Sequence, residues 1–268
     1  MPWTSSFKVQ NTPPRSVTVL DSSNGTAPAN SLNTALQNLV NTCINHNLFS
    51  LLCGQHSELC QITSATSFSR PIYVERFATS LFGLTMRGAH LVAYTQTQDK
   101  GMQIWIPRRA PHLFICGGML DTTVAGGIKG AASPLQTIIE EADEEASLPA
   151  SLIERRIRSR GVISHMGLTG PGFPGEQGLV TPDFVYVYDI ELPVDVLPRP
   201  HDEEVSSFQS MGVEELKSRM LSGEFKPDSA AVLVDFLITH GFISADDEAD
   251  FVEITMRLHR RLPFRTSR

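Results

Sequence analysis

The sequence predicts a mixed α/β protein, and three observations carry that expectation. A capped helix begins after Ser133, alternating apolar runs at 161–166, 184–192 and 205–211 read as strands, and helical spacing returns beyond residue 213. Residues 1 to about 30 are rich in Ser, Thr, Asn and Pro and read as a loose leader or an edge strand with turns. The stretch 32–52 carries Leu36, Leu39, Val40 and Cys43 at helical spacing. An apolar segment at 77–94, broken by Gly83 and Gly88, reads as strands leading into the second half.

The helix after Ser133 is the most sharply written element. Ser133 caps it, Pro134 fits its first position, and Gln136 completes a Ser-x-x-Gln capping box. Leu135, Ile138, Ile139, Ala142 and Ala146 form its apolar stripe. Beyond it, residues 167–182 hold Gly167, Gly170, Gly172, Gly175 and Gly178, which fits either a mobile lid or a hairpin connection. Further helices are expected over 213–221, over 229–240 with a stop at Gly241, and over 245–260 after a Ser244 cap.

Composition bounds the function. The chain has 268 residues, 41% hydrophobic and 19% charged, as in an ordinary globular protein. A net charge of −7 argues against nucleic acid or an anionic membrane as the main partner. Neither a long apolar run nor a secretory leader is visible, so a soluble cytoplasmic protein is expected. Cys43, Cys53, Cys60 and Cys116 form no paired motif and read as free thiols; Cys53 and Cys60 with His46 and His56 match no common zinc spacing.

Chemistry concentrates on the helix. At about 100° per residue, Glu141, Glu144 and Glu145 share one side. Like charges at that spacing repel, so a compensating hard cation, Mg²⁺ or Mn²⁺, is expected there, with a solvated acidic face as the plain alternative. Hydrolysis of a diphosphate would need that cation to offset the charge on the phosphate oxygens.

The segment running from Gly126 to Leu148 resembles the Nudix box, written G-x5-E-x7-R-E-U-x-E-E-x-G-U with U a bulky apolar residue. Gly126, Glu141, the pair Glu144 and Glu145, and Leu148 fit it. Ala132, Glu140, Ala142 and Ser147 depart from it, at the first glutamate, the arginine, an apolar position and the second glycine. The runs 105–109, 118–121, 124–127, 202–205, 223–227 and 258–264 resemble Nudix proteins related to fungal thiamine pyrophosphokinase. Together they cover most of the chain after about residue 70. Leu113, Gly117 and Thr122 stand where those proteins usually carry a lysine, a proline and an asparagine.

The resemblance implies an αβα sandwich around a mixed sheet at 96–268, behind a smaller α+β accessory domain at 1–95 that supplies one wall of the substrate pocket. It implies cleavage of a small organic diphosphate to the monophosphate, with thiamine diphosphate or an oxidised analogue leading. Alternatives are a prenyl or other metabolite diphosphate, a metabolite-binding module without turnover, and a non-hydrolytic enzyme such as an isomerase. Kinase activity is not implied. Glu141, Glu144 and Glu145 become the metal ligands, with a carbonyl near Ala125 or Gly126 assisting, and the base comes from Glu144, Glu145 or Glu204. Arg108, Arg109, Lys129, Gly126 and Gly127 are the candidate substrate-binding residues. Trp105 reads either as a packed core residue or as a stacking partner for an aromatic ring of the substrate, and residues 259–261 are expected to hold the last helix.

Overall fold

The computed structural model describes residues 1–52, 58–63 and 68–264. It is an α/β structure in which a central mixed sheet lies between two helical layers. The N-terminal part opens with strands β1 (Phe7–Gln10) and β2 (Ser16–Val19) as an antiparallel hairpin, followed by helix α1 (Pro28–Asn45). Strands β3 (Leu59–Gln61) and β4 (Tyr73–Glu75) form a second small pair. The expected apolar spacing along 32–52 is the buried face of α1, where Leu36, Leu39, Val40 and Cys43 are enclosed.

Strand β5 (Met86–Thr97) runs through the centre of the molecule. It is followed by β6 (Gly101–Arg109), β7 (Val124–Gly127), α2 (Pro134–Ala146), α3 (Ala150–Arg156), β8 (Arg158–Leu168) and β9 (Val180–Glu191). Strand β10 (Val205–Gly212) and helices α4 (Val213–Leu221), α5 (Pro227–Thr239) and α6 (Phe251–Leu258) complete the chain. The sheet order is β10-β6-β5-β9-β8, and β7 also pairs with β5. One edge of β5 is therefore shared: residues 88–91 pair with β7 and residues 94–97 pair with β6. Parallel pairing of β5 with β9 fixes the other edge.

Alternation along β5 divides the two cores. Ala89, Leu91 and Ala93 face α2 and α3, packing with Ile138, Ala142, Ala146 and Ile153. Val92 and Tyr94 face the opposite layer with Leu216, Val232, Leu233 and Phe236.

Several expectations are corrected here. Residues 76–78 and 80–82 form 3₁₀ turns, and the strand starts only at Met86. The expected division at 95/96 falls inside β5, which belongs to the sheet from its first paired residue. The last helix spans only Phe251–Leu258, because Ser244 bonds Asp247 and the intervening residues form turns. Leu135, counted in the apolar stripe, is exposed near the start of α2. Of residues 167–182, both ends are paired strand of β8 and β9, and 169–179 form the hairpin connection; Glu176 accepts hydrogen bonds from the Ser50 and Leu51 N–H groups, tying its tip to the N-terminal part. The tail holds the last helix as expected, through Arg260 N–H donating to Ser164 and His259 beside Asp235. Cys43 and Cys60 are buried free thiols and Cys116 a partly buried one, while Cys53 and His56 lie outside the described residues.

Candidate active site

Helix α2 starts as its sequence demands, with Ser133 Oγ accepting from the Gln136 N–H at 3.1 Å. The reciprocal half of the box is not made, since the Gln136 amide turns to Glu140 Oε1 at 2.7 Å. Glu140, at the arginine position of the motif, thus spends its carboxylate on the helix surface, and Ala132 packs against the core under α2. Ser147, where a glycine is usual, ends the helix in the left-handed region at φ 54.

Gly126 explains how α2 reaches the sheet. A Cβ there would stand 2.5 Å from Glu141 Cγ and 2.8 Å from Glu141 Oε1, so only a glycine admits that carboxyl group. One turn on, buried Glu145 accepts a hydrogen bond from the Ala125 N–H at 3.0 Å. Glu144 is exposed. Glu204, in the loop ahead of β10, is held by its carbonyl accepting from the Ala110 N–H at 2.8 Å.

These acids crowd one another. Burial pushes the Glu141 carboxyl up to about 7; Lys129 opposes the rise, while Glu144 and Glu204 add to it. Burial and then the Glu141 charge hold Glu145 well above the usual carboxylate range. An oxygen-only donor set with surplus negative charge matches what a hard divalent cation takes. Among the described residues, no three His, Cys, Asp or Glu side chains converge as a ready-made metal cage.

Beside the acids lies a cleft of about 280 Å³, bordered by Ala125, Gly126, Gly127 and Glu204 and by charged groups from β5, β6, β9 and the start of α5. Two of its lining residues, Arg109 and Lys226, belong to a network around buried Asp121. Arg109 donates to Asp121 Oδ2 at 3.0 Å, Lys226 Nζ stands 3.9 Å from the same atom, and Ser229 donates its hydroxyl proton to Oδ1. Lys226 also pairs with Asp228 at 2.9 Å. Burial alone would lower the Lys226 pKa and raise that of Asp228, yet the charges of Asp121 and then Asp228 hold Lys226 above its ordinary range, and the Lys226 charge holds Asp228 below its own. His90 lies 3.8 Å from Asp228 and 2.9 Å from Thr122 Oγ1, and burial then Lys226 lower its pKa to about 4. Farther along, Asp183 faces His165 at 3.4 Å, and burial then Asp228 raise its carboxyl to about 7.

Gly126, Gly127, Arg109 and Glu204 thus border one cleft, with Glu141 packed against Gly126. Arg108 does not border it. Its guanidinium donates to the Gly118 carbonyl at 2.8 Å and lies 4.0 Å from Glu224. Lys129 sits between Glu58 and Glu141, at 3.2 and 3.5 Å, and is engaged with acids. Trp105 packs under α2 and donates to Thr95, as its core reading required. Gly117 is also explained, because a Cβ would fall 2.7 Å from the carbonyl oxygens of Pro111 and Leu113. Sequence reading missed Arg76, Arg87, His90, Asp183, Lys226 and Asp228. Charged residues inside apolar strand patterns, such as Arg87 and His90, were the available signal.

No family model matches the chain. Over 200 residues it is 36% identical to the uncharacterized protein YJR142W of Saccharomyces cerevisiae, covering 73% of this chain and 58% of that one. It is 31% identical to the chloroplastic Nudix hydrolase 20 of Arabidopsis thaliana, covering 73% of this chain and 50% of the relative. Identity to Nudix hydrolase 24, also chloroplastic and from Arabidopsis thaliana, is 32%, over 73% and 51% of the two chains. Together with the box-like segment, the two Nudix relatives support membership of the Nudix hydrolase family. The chain spans about half the length of those relatives.

Proposed function

We propose that this chain is a hydrolase that uses a divalent metal to cleave the diphosphate of a small organic diphosphate to the monophosphate. The observation that carries this reading is the bare Cα of Gly126, which admits the Glu141 carboxyl to the strand bordering a cleft lined by charged groups of both signs. Glu141, Glu144 and Glu145 would hold the metal, Mg²⁺ or Mn²⁺, with the Ala125 or Gly126 carbonyl assisting. When bound, the metal neutralises phosphate oxygens and acidifies water. Glu204 borders the same cleft and serves as the base, with Glu144 and Glu145 as the other candidates. Gly126 and Gly127 leave room for phosphate against β7, and Arg109, which lines the cleft, is braced by Asp121.

The organic group is polar or charged. Arg76, Arg87, His90, Asp183, Lys226 and Asp228 border the cleft, which suits a heterocycle with hydrogen-bonding edges better than a prenyl tail. Thiamine diphosphate or an oxidised analogue is the leading substrate, on the resemblance to thiamine pyrophosphokinase-related Nudix proteins. The N-terminal region acts as an accessory domain and contributes Arg76 to one wall. Among the described residues no helix is long and apolar enough to cross a membrane.

Incubation of purified protein with Mg²⁺ and a panel of organic diphosphates, with mass detection, tests the reading. A monophosphate product carrying the added water is expected from at least one heterocyclic diphosphate. No turnover with any divalent metal would overturn it. A binding module without turnover draws on the lack of three converging acids among the described residues. It predicts calorimetric binding of an unchanged diphosphate.

A further inference from the structure

Four cations border the cleft: Arg76, Arg87, Arg109 and Lys226. Three have anionic partners in the protein. Arg76 Nη1 meets Glu58 at 3.1 Å, Arg109 Nη1 meets Asp121 at 3.0 Å, and Lys226 meets Asp228 at 2.9 Å. Of the two other candidate phosphate grips, Lys129 is shared by Glu58 and Glu141, and Arg108 is turned to the Gly118 carbonyl.

Arg87 is different. Its Nη2 is enclosed and has no hydrogen-bond partner among the described residues. The strand register explains its position: the Arg87 carbonyl accepts from the Ile128 N–H at 2.9 Å, and the next residue, Gly88, pairs with Gly127. The side chain therefore starts next to Gly88, whose strand partner Gly127 adjoins Gly126, the glycine against which Glu141 packs. An enclosed guanidinium nitrogen with an unused donor is unfavourable unless an acceptor arrives. A diphosphate arriving here also meets the negative charge of Glu141, Glu145 and Glu204, so it needs a cation that is not already neutralised.

We infer that Arg87 is a substrate-binding residue whose guanidinium grips the oxygens of the bound diphosphate. This rests on the diphosphatase reading above. The planar fork of a guanidinium matches two phosphate oxygens at once, whereas an ammonium meets them as a point charge. Arg87 acts in binding, and the proton transfers belong to the carboxylates.

The test compares wild type with Arg87→Met and Arg87→Lys. Two measurements are made with Mg²⁺ present: calorimetric binding of methylenediphosphonate, and steady-state hydrolysis of the most active diphosphate in the panel. Arg87→Met is expected to raise Kd and KM by about ten- to a hundredfold, as loss of a charge-assisted hydrogen bond does, with a smaller change in kcat. Arg87→Lys recovers only part of that loss. If Arg87→Met fails to fold, a several-fold rise in Kd for Arg87→Lys still supports the inference and an unchanged Kd overturns it. A wild type that neither binds methylenediphosphonate nor hydrolyses any member of the panel overturns the diphosphatase reading and this inference with it. A wild type that binds and hydrolyses while folded Arg87→Met matches it overturns the Arg87 assignment alone.

Discussion

The two ends of the cleft are built from the same residue types and behave oppositely. At the α5 end, Asp121, Arg109, Lys226, Asp228 and Ser229 close on one another, each charge facing an opposite one. At the α2 end, Glu141 and Glu145 are brought together with Glu204 in range, and among the described residues Lys129 is the cation paired with Glu141. A network whose charges are paired is mainly scaffold, because each charge is already met by an opposite one. An end with surplus negative charge is where a hard cation gains most from binding, and an anionic substrate gains there only through such a cation.

Breaking the unbalanced end has the largest expected effect on rate and little on stability. Glu145→Gln should lower kcat by about a thousandfold, within the range for loss of a metal-assisted acid–base group. Its melting temperature should hold or rise, because a buried carboxyl crowded by like charge becomes neutral. Steady-state kinetics beside calorimetry checks both parts, and a variant that is both slow and unstable would erase the contrast. Chelation of divalent metal should likewise abolish turnover, read from the same assay.

Breaking the balanced end should do the reverse. Asp121→Asn leaves Arg109 and Lys226 facing a neutral group and should cost about 3 kcal/mol of stability, read by denaturant unfolding. Activity at a temperature where the variant stays folded should fall far less than in Glu145→Gln.

His90 sharpens the comparison through pH. Its pKa falls from 6.5 to about 4 in the folded state, so between those values the unfolded chain binds more protons. The His90 contribution is therefore present above pH 6.5 and lost as pH falls toward 4. Relative to wild type, His90→Gln should grow more stable across that interval, as thermal melts at stepped pH would show. A constant difference would contradict the buried, neutral histidine.

The smallest effect lies at the start of α2. Ser133→Ala removes the cap on the Gln136 N–H and should cost about 1 kcal/mol, read by the same unfolding method.

How much of this was legible follows from which forces act locally. Ser133 and Pro134 fixed the start of α2 because capping is a matter of adjacent residues. Alternation located β8, β9 and β10, and helix α4 lies over the residues its spacing marked. The last helix was overextended because Ser244 caps a turn as readily as a helix. The strand reading of 77–82 missed two 3₁₀ turns, since short apolar runs look alike in both.

At the site, Gly126 and Glu141 were legible through a spaced motif. Arg87 and Arg109 were not separable by sequence, because what distinguishes them is the presence of Asp121 beside one and of no partner beside the other. Such pairing comes from strands distant in sequence, and no local pattern encodes it. Lys226, Asp228 and His90 meet in the same way, where the start of α5 crosses β5.

The most direct measurement is a Mn²⁺ titration followed by water-proton relaxation, comparing wild type with the double variant Glu141→Gln, Glu145→Gln. Saturable binding by wild type and its loss in a folded double variant are the predicted result. Equal Mn²⁺ binding by both proteins would contradict the claim that these carboxylates hold the metal.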